Sequence, residues 1–102
     1  MRIEFERTGG FAGMRVAATI DSQTLPEDKA QALKEMIEQA GFFDLPPRLV
    51  SPTPGMDQFQ YRLTIESAER GIHTIETSDA AAPPQLQPLL RELTLLARGQ
   101  SR

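Results

Sequence analysis

Cysteine is absent from this 102-residue chain and histidine occurs once, as His73. The first absence excludes disulfides, thiol catalysis and zinc-ribbon chemistry. The second excludes a paired-histidine metal site, a zincin motif and a facial triad with two histidines within one chain. Basic residues are also scarce: Lys29 and Lys34 are the only lysines, the net charge is −3 and the isoelectric point is near 5.1. A nucleic-acid surface needs a basic stripe to displace counterions from phosphates, so no nucleic-acid partner is expected. Apolar runs are short, well below the ~20 residues of a membrane span, and the start "MRIEFERTGG" has no hydrophobic stretch of a secretory signal. No membrane partner is expected, and the chain reads as cytoplasmic.

What is present is an ordinary globular composition, 39% apolar and 25% charged, over a length that fits one domain spanning residues 1–102. In "RIEFER" Ile3 and Phe5 alternate with Glu4 and Glu6, and in "MRVAATID" Met14, Val16, Ala18 and Ile20 alternate with Arg15, Ala17 and Thr19. Period-2 alternation predicts two strands, joined through Gly9, Gly10 and Gly13. A helix follows in "TLPEDKAQALKEMIEQAG". Thr24 and Glu27 have capping-box spacing, Pro26, Glu27 and Asp28 suit a first turn, and Ala30, Leu33, Ile37 and Ala40 fall on one arc ending at Gly41.

Four of the eight prolines lie in residues 44–57, which predicts a stiff connection rather than a helix or central strand. "QFQYRLTIES" then alternates cleanly, with Phe59, Tyr61, Leu63 and Ile65 on the buried face. In "GIHTIETS" Ile72 and Ile75 fall on opposite faces, as suits an edge strand. Leu86, Leu89, Leu90, Leu93, Leu96 and Ala97 form the stripe of a last helix with Pro88 in its first turn, and Leu95 points the other way. The order ββαββα predicts an α+β fold: a four-stranded antiparallel sheet with both helices packed on one face.

A catalytic set is hard to assemble from these residues. Glu4 and Glu6 point outward from a strand, Glu27 and Asp28 suit a helix N-terminus, and His73 sits alone in an edge strand, so all are read as structural. Gly9 to Gly13 is no phosphate loop, because it joins strand to strand and lacks the Gly-Lys-Ser/Thr ending. The unusual feature is apolar material in expected loops and on an outer helix face: Phe11, Leu25, Met56 and Leu95. Together they suggest a contact surface. Phe11 reads either as a lid folded over the sheet end or as a partner anchor, and Leu25 either as a contact beside the helix N-terminus or as a projecting plug.

The elements "IEFERTGGFAGMR", "AGFFDLP", "FQYRLTIE", "HTIE" and "PLLRELT", in this order along nearly the whole chain, resemble emfourin-like proteins, small inhibitors of thermolysin-like metalloproteases such as protealysin. The resemblance implies a non-enzymatic protein without cofactor or metal of its own, whose partner is a thermolysin-like protease. It implies that an apolar side chain on a rigid segment enters the pocket beside the catalytic zinc, with Phe11, Leu25, Met56 and Asp57 as the candidate contacts. Asp57 is the residue able to approach the metal. The competing expectation is an interaction or self-associating module, a monomer or weak homodimer, using the edge strand at residues 71–78 or Leu95.

Overall fold

The computed structural model describes residues 1–9, 14–49 and 59–100. The order of elements is β1 (Arg2–Gly9), β2 (Met14–Asp21), α1 (Glu27–Ala40), β3 (Phe59–Ser67), β4 (Gly71–Ser78) and α2 (Gln87–Gln100), with short 3-10 turns over Ser22–Thr24 and Phe42–Asp44. The strands form one antiparallel sheet in the order β2-β1-β3-β4, so the expected ββαββα fold is the observed one. β1 and β3 pair at the centre, and each hairpin contributes one outer strand.

Register places the apolar positions in rows across the helix-covered face. Ile20, Ile3, Ile65 and His73 make one row, and Ala18, Phe5, Leu63 and Ile75 the next. The helices close this face: Leu33, Ile37 and Ala40 from α1 and Leu89, Leu90, Leu93 and Ala97 from α2 are buried with the strand residues in one core. α2 lies over β1 and β2 with α1 beside it. At ~25 cal/mol per Å² of apolar surface removed from water, each fully buried Leu or Ile contributes about 1.5–3 kcal/mol before entropy is counted. The opposite face of the sheet is polar, with Arg15 bound through two guanidinium nitrogens to Glu6 and the hydroxyls of Thr64 and Thr74 2.8 Å apart.

The start of α1 differs from the capping box expected of Thr24 and Glu27. Pro26 is the N-cap, with φ −53° and ψ 145°, and no side chain caps the helix. The Thr24 hydroxyl instead donates to the Asp21 carbonyl at 2.8 Å, and the Asp21 carboxylate accepts from the Gln23 N–H at 2.9 Å. The 3-10 turn over Ser22–Thr24 therefore takes the side chain that the spacing assigned to the helix. Glu27 and Asp28 still place negative charge in the first turn, where the helix dipole favours it. At the other end Gly41 has φ 62°, a left-handed conformation that glycine adopts without a Cβ penalty, and α1 stops there as expected.

The outer edge of β4 is partly paired. Glu76 donates its N–H to the Pro47 carbonyl at 2.8 Å and accepts from the Leu49 N–H at 2.9 Å, a parallel bridge centred on Arg48. The segment of residues 47–49 thus pairs with the edge strand at Glu76 and satisfies some of the backbone groups that an open edge would offer a partner. His73 holds the beginning of this connection. Its Nε2–H donates to the Leu45 carbonyl at 2.8 Å, which requires the Nε2-protonated tautomer, and its ring packs on Phe42 with centroids 5.3 Å apart.

Candidate functional site

The third row across the helix-covered face breaks the apolar pattern: it reads Val16, Arg7, Tyr61 and Thr77. Strand alternation sends Arg7 to the same side as Ile3 and Phe5, toward α2 rather than toward solvent. The guanidinium lies over the Phe59 ring, with Cζ 3.5 Å from the ring centroid. Such a cation–π contact contributes about 0.5–2 kcal/mol, more as water is excluded. Nε of Arg7 is buried and has no hydrogen-bond partner among the described residues.

Beside it Tyr61 and Asp79 close the end of the sheet. The Tyr61 hydroxyl donates to Oδ1 of Asp79 at 2.7 Å, and the Phe59 N–H donates to Oδ2 at 3.1 Å. The Asp79 N–H in turn donates to the Phe59 carbonyl at 3.2 Å. Asp79, one residue past β4, therefore clips the chain leaving β4 to the first residue of β3. Burial of the ring, and then the hydrogen bond and charge of Asp79, push the Tyr61 phenol above its ordinary pKa of 10.0, while Arg7 opposes the shift.

These groups form one wall of a groove of about 360 Å³, and α2 forms the other through Gln87, Leu90, Arg91, Thr94, Leu95 and Arg98. The spacing 87, 91, 94/95, 98 is one helical stripe. Leu95, 56% exposed, lines this groove at its rim, although its place opposite the core stripe pointed to an outer face. The groove carries three arginines against one aspartate in a chain whose net charge is −3. Arg7, Arg91 and Arg98 form no salt bridge among the described residues. A broader depression of about 630 Å³ lies on the polar sheet face, lined by Glu4, Glu6, Ala17, Thr19, Arg62 and Thr64.

The four candidate contacts divide between the ends of the sheet. Leu25 follows β2 at the Asp21 end, where it is half-buried and packs against the core, with its N–H donated to the Ser22 carbonyl at 3.3 Å. Phe11, Met56 and Asp57 lie outside the described residues. Their flanks are described: β1 ends at Gly9, with φ 97°, and Gly9 pairs with both Met14 and Phe59. The hairpin connection and the proline-rich connection therefore join the sheet at one end, the end that carries the Arg7–Tyr61–Asp79 cluster. Eight residues of strand, roughly 26 Å, separate it from the end near Leu25.

Arg7, Asp79, Arg91 and Arg98 were not singled out from the sequence. Arg7 carried a signal in its parity with Ile3 and Phe5, and Arg91, Leu95 and Arg98 carried one in their i, i+4, i+7 spacing. Among the described residues no group of three His, Asp or Glu is placed to hold a metal ion, and no helix is long and apolar enough to cross a membrane.

A comparison with curated proteins finds no match. Among solved structures, emfourin (M4in) from Serratia proteamaculans, described as an M4 family peptidase inhibitor, is 24% identical over 87% of this chain and 84% of that one, with a TM-score of 0.46. The Emfourin family model matches residues 5–94, from the middle of β1 into α2, and this chain belongs to the Emfourin family.

Proposed function

We propose that the chain is a binding protein rather than an enzyme, an inhibitor that occupies the active-site cleft of a thermolysin-like zinc metalloprotease. The observation that carries this reading is membership of the Emfourin family across residues 5–94; the family's M4in is itself described as an M4 family peptidase inhibitor. In such an enzyme two histidines and a glutamate hold the zinc and leave one position open, beside which an inhibitor has to fit.

The end of the sheet at Gly9 and Phe59 suits this task better than the end near Leu25. A plug has to be free to leave its own domain, and Leu25 is engaged in packing against the core. At the opposite end the flanks of two connections are fixed by the central strand pairing and by the Asp79 clip. Fixing a segment before it binds lowers the ordering cost of association. Phe11, Met56 and Asp57 belong to those connections and remain the proposed contacts there, with Leu25 as the candidate at the other end.

Self-association through an apolar patch has less support. Ile72, 64% exposed, lies on the polar sheet face, while Leu95 lies on α2 on the other side, so the two do not form one surface. Titration of the purified protein against thermolysin-like proteases with a peptide substrate tests the proposal. The expected result is a rise in apparent KM with inhibitor concentration and no change in kcat. Full activity of every enzyme in the panel at micromolar protein would refute it.

A further inference from the structure

The groove between α2 and the sheet end has features that the fold does not need. Arg7 occupies a helix-facing strand position where neighbouring rows carry Phe5 and Ile3, and its buried Nε lacks a partner among the described residues. Across from it Arg91 and Arg98 project from the same stripe of α2 as Leu95. Asp79 is the acidic group in the groove, and both of its oxygens are already engaged, one by the Tyr61 hydroxyl and one by the Phe59 N–H. The result is a local excess of positive charge around an exposed leucine on an acidic protein.

From this we infer that the groove receives an acidic side chain, Asp or Glu, of a protein partner, with an adjoining apolar residue of that partner seated on Leu95. Guanidinium groups match a carboxylate in a planar, two-bonded geometry, and Arg gives up less side-chain freedom per bond than Lys. A volume of about 360 Å³ admits one or two side chains rather than a whole element. The Asp79 carboxylate admits a monovalent guest more readily than a doubly charged phosphate, and Leu90, Ala82 and Leu95 provide an apolar lining that a free inorganic anion does not use. The identity of the partner rests on the protease-binding reading, with the acidic residue carried on the enzyme near its cleft. The preference of the groove for a carboxylate does not rest on it.

Two measurements separate these parts. In the first, the isotopically labelled protein is titrated by NMR with N-acetyl-leucyl-glutamic amide, with its glutamine counterpart and with inorganic phosphate. The glutamate peptide is expected to move the amides of Tyr61, Asp79 and residues 90–98 and to bind about tenfold more tightly than the glutamine peptide, the gain typical of a charge-assisted contact. The double variant R91Q/R98Q, at exposed positions, is expected to abolish the difference with an unchanged melting temperature. Equal binding of the two peptides, no movement of these amides, or tighter binding of phosphate than of the glutamate peptide would overturn the inference.

In the second, the same double variant is assayed on a protease that the wild type inhibits. A rise in the inhibition constant of about tenfold, with a weaker dependence on salt, is expected. An unchanged inhibition constant would overturn the role of the groove in that complex. If the wild type inhibits no protease, the functional reading fails and the peptide titration alone decides the chemistry of the groove.

Discussion

Replacing Tyr61 with phenylalanine removes one hydroxyl from the end of the sheet and tests whether the clip to Asp79 is energetically real. The ring is 8% exposed and stays buried in the variant, so the transfer term is unchanged and the loss is the 2.7 Å bond to a carboxylate. Bonds to charged groups contribute about 1.5–3 kcal/mol net. Asp79 is exposed, so water takes over part of that role, which places the expected loss at ~1–2 kcal/mol. For a domain of this size each kcal/mol lowers the melting temperature by about 4–8 °C. The chain contains one tyrosine and no tryptophan, so tyrosinate absorbance in an alkaline titration reports Tyr61 alone. The native protein should titrate above 10.0, because burial and then Asp79 disfavour the phenolate. Between 10.0 and that raised value the unfolded chain releases its proton while the native chain holds it. The contribution is therefore complete below pH 10.0 and is lost as pH rises through the native value. Tyr61→Phe should remove this part of the alkaline loss, and Asp79→Asn should bring the titration closer to 10.0 without reaching it, since the larger cause, burial, persists. A native titration at or below 10.0, or an unchanged melting temperature in Tyr61→Phe, would refute the reasoning.

Three further substitutions separate folding from binding. Leu93→Ala opens a cavity at a fully buried α2 position and should cost ~2–5 kcal/mol, read as a lower denaturant midpoint; an unchanged midpoint would mean that the assigned helix face is wrong. Gly41→Ala meets no atom within 4 Å, so its cost of about 1 kcal/mol is conformational, from φ 62°, and Gly41→Asn should cost less in the same thermal melt. Leu25→Ala, at a half-buried packing position, should cost about 1 kcal/mol of stability and leave the inhibition constant within about twofold of the wild type. A selective loss of inhibition in that variant would move the contact to the Asp21 end.

How far the structure was legible follows from how local each signal is. The alternation of Phe59, Tyr61, Leu63 and Ile65, the stripe of Leu89, Leu90, Leu93 and Ala97, and Gly41 at the end of α1 are periodic or single-residue signals, and each matches the observed element. The strand order is different, because the antiparallel pairing of β1 with β3 joins residues from Gly9 with Phe59 to Arg2 with Glu66, far apart in sequence, and no local pattern encodes it. The capping box failed through competition, since the Thr24 hydroxyl reaches the Asp21 carbonyl first. At the sheet end, Asp79 follows the last strand residue and reads as a turn residue, so nothing in the sequence shows that it bonds Phe59 and Tyr61 twenty and eighteen positions away. Arg7 was legible in parity, but a charged residue after "IEFE" reads as the solvent end of a strand unless the helix that covers it is known.

Competition with a small active-site ligand tests the central claim most directly. A peptide hydroxamate that chelates the catalytic zinc of a thermolysin-like protease occupies the cleft that this protein is proposed to fill. Binding of the labelled protein to the enzyme is measured with and without saturating hydroxamate. If the protein blocks the cleft, its apparent Kd rises in proportion to hydroxamate concentration, and the two ligands never bind together. A Kd unchanged by saturating hydroxamate, with a ternary complex of protein, enzyme and hydroxamate, would contradict the account.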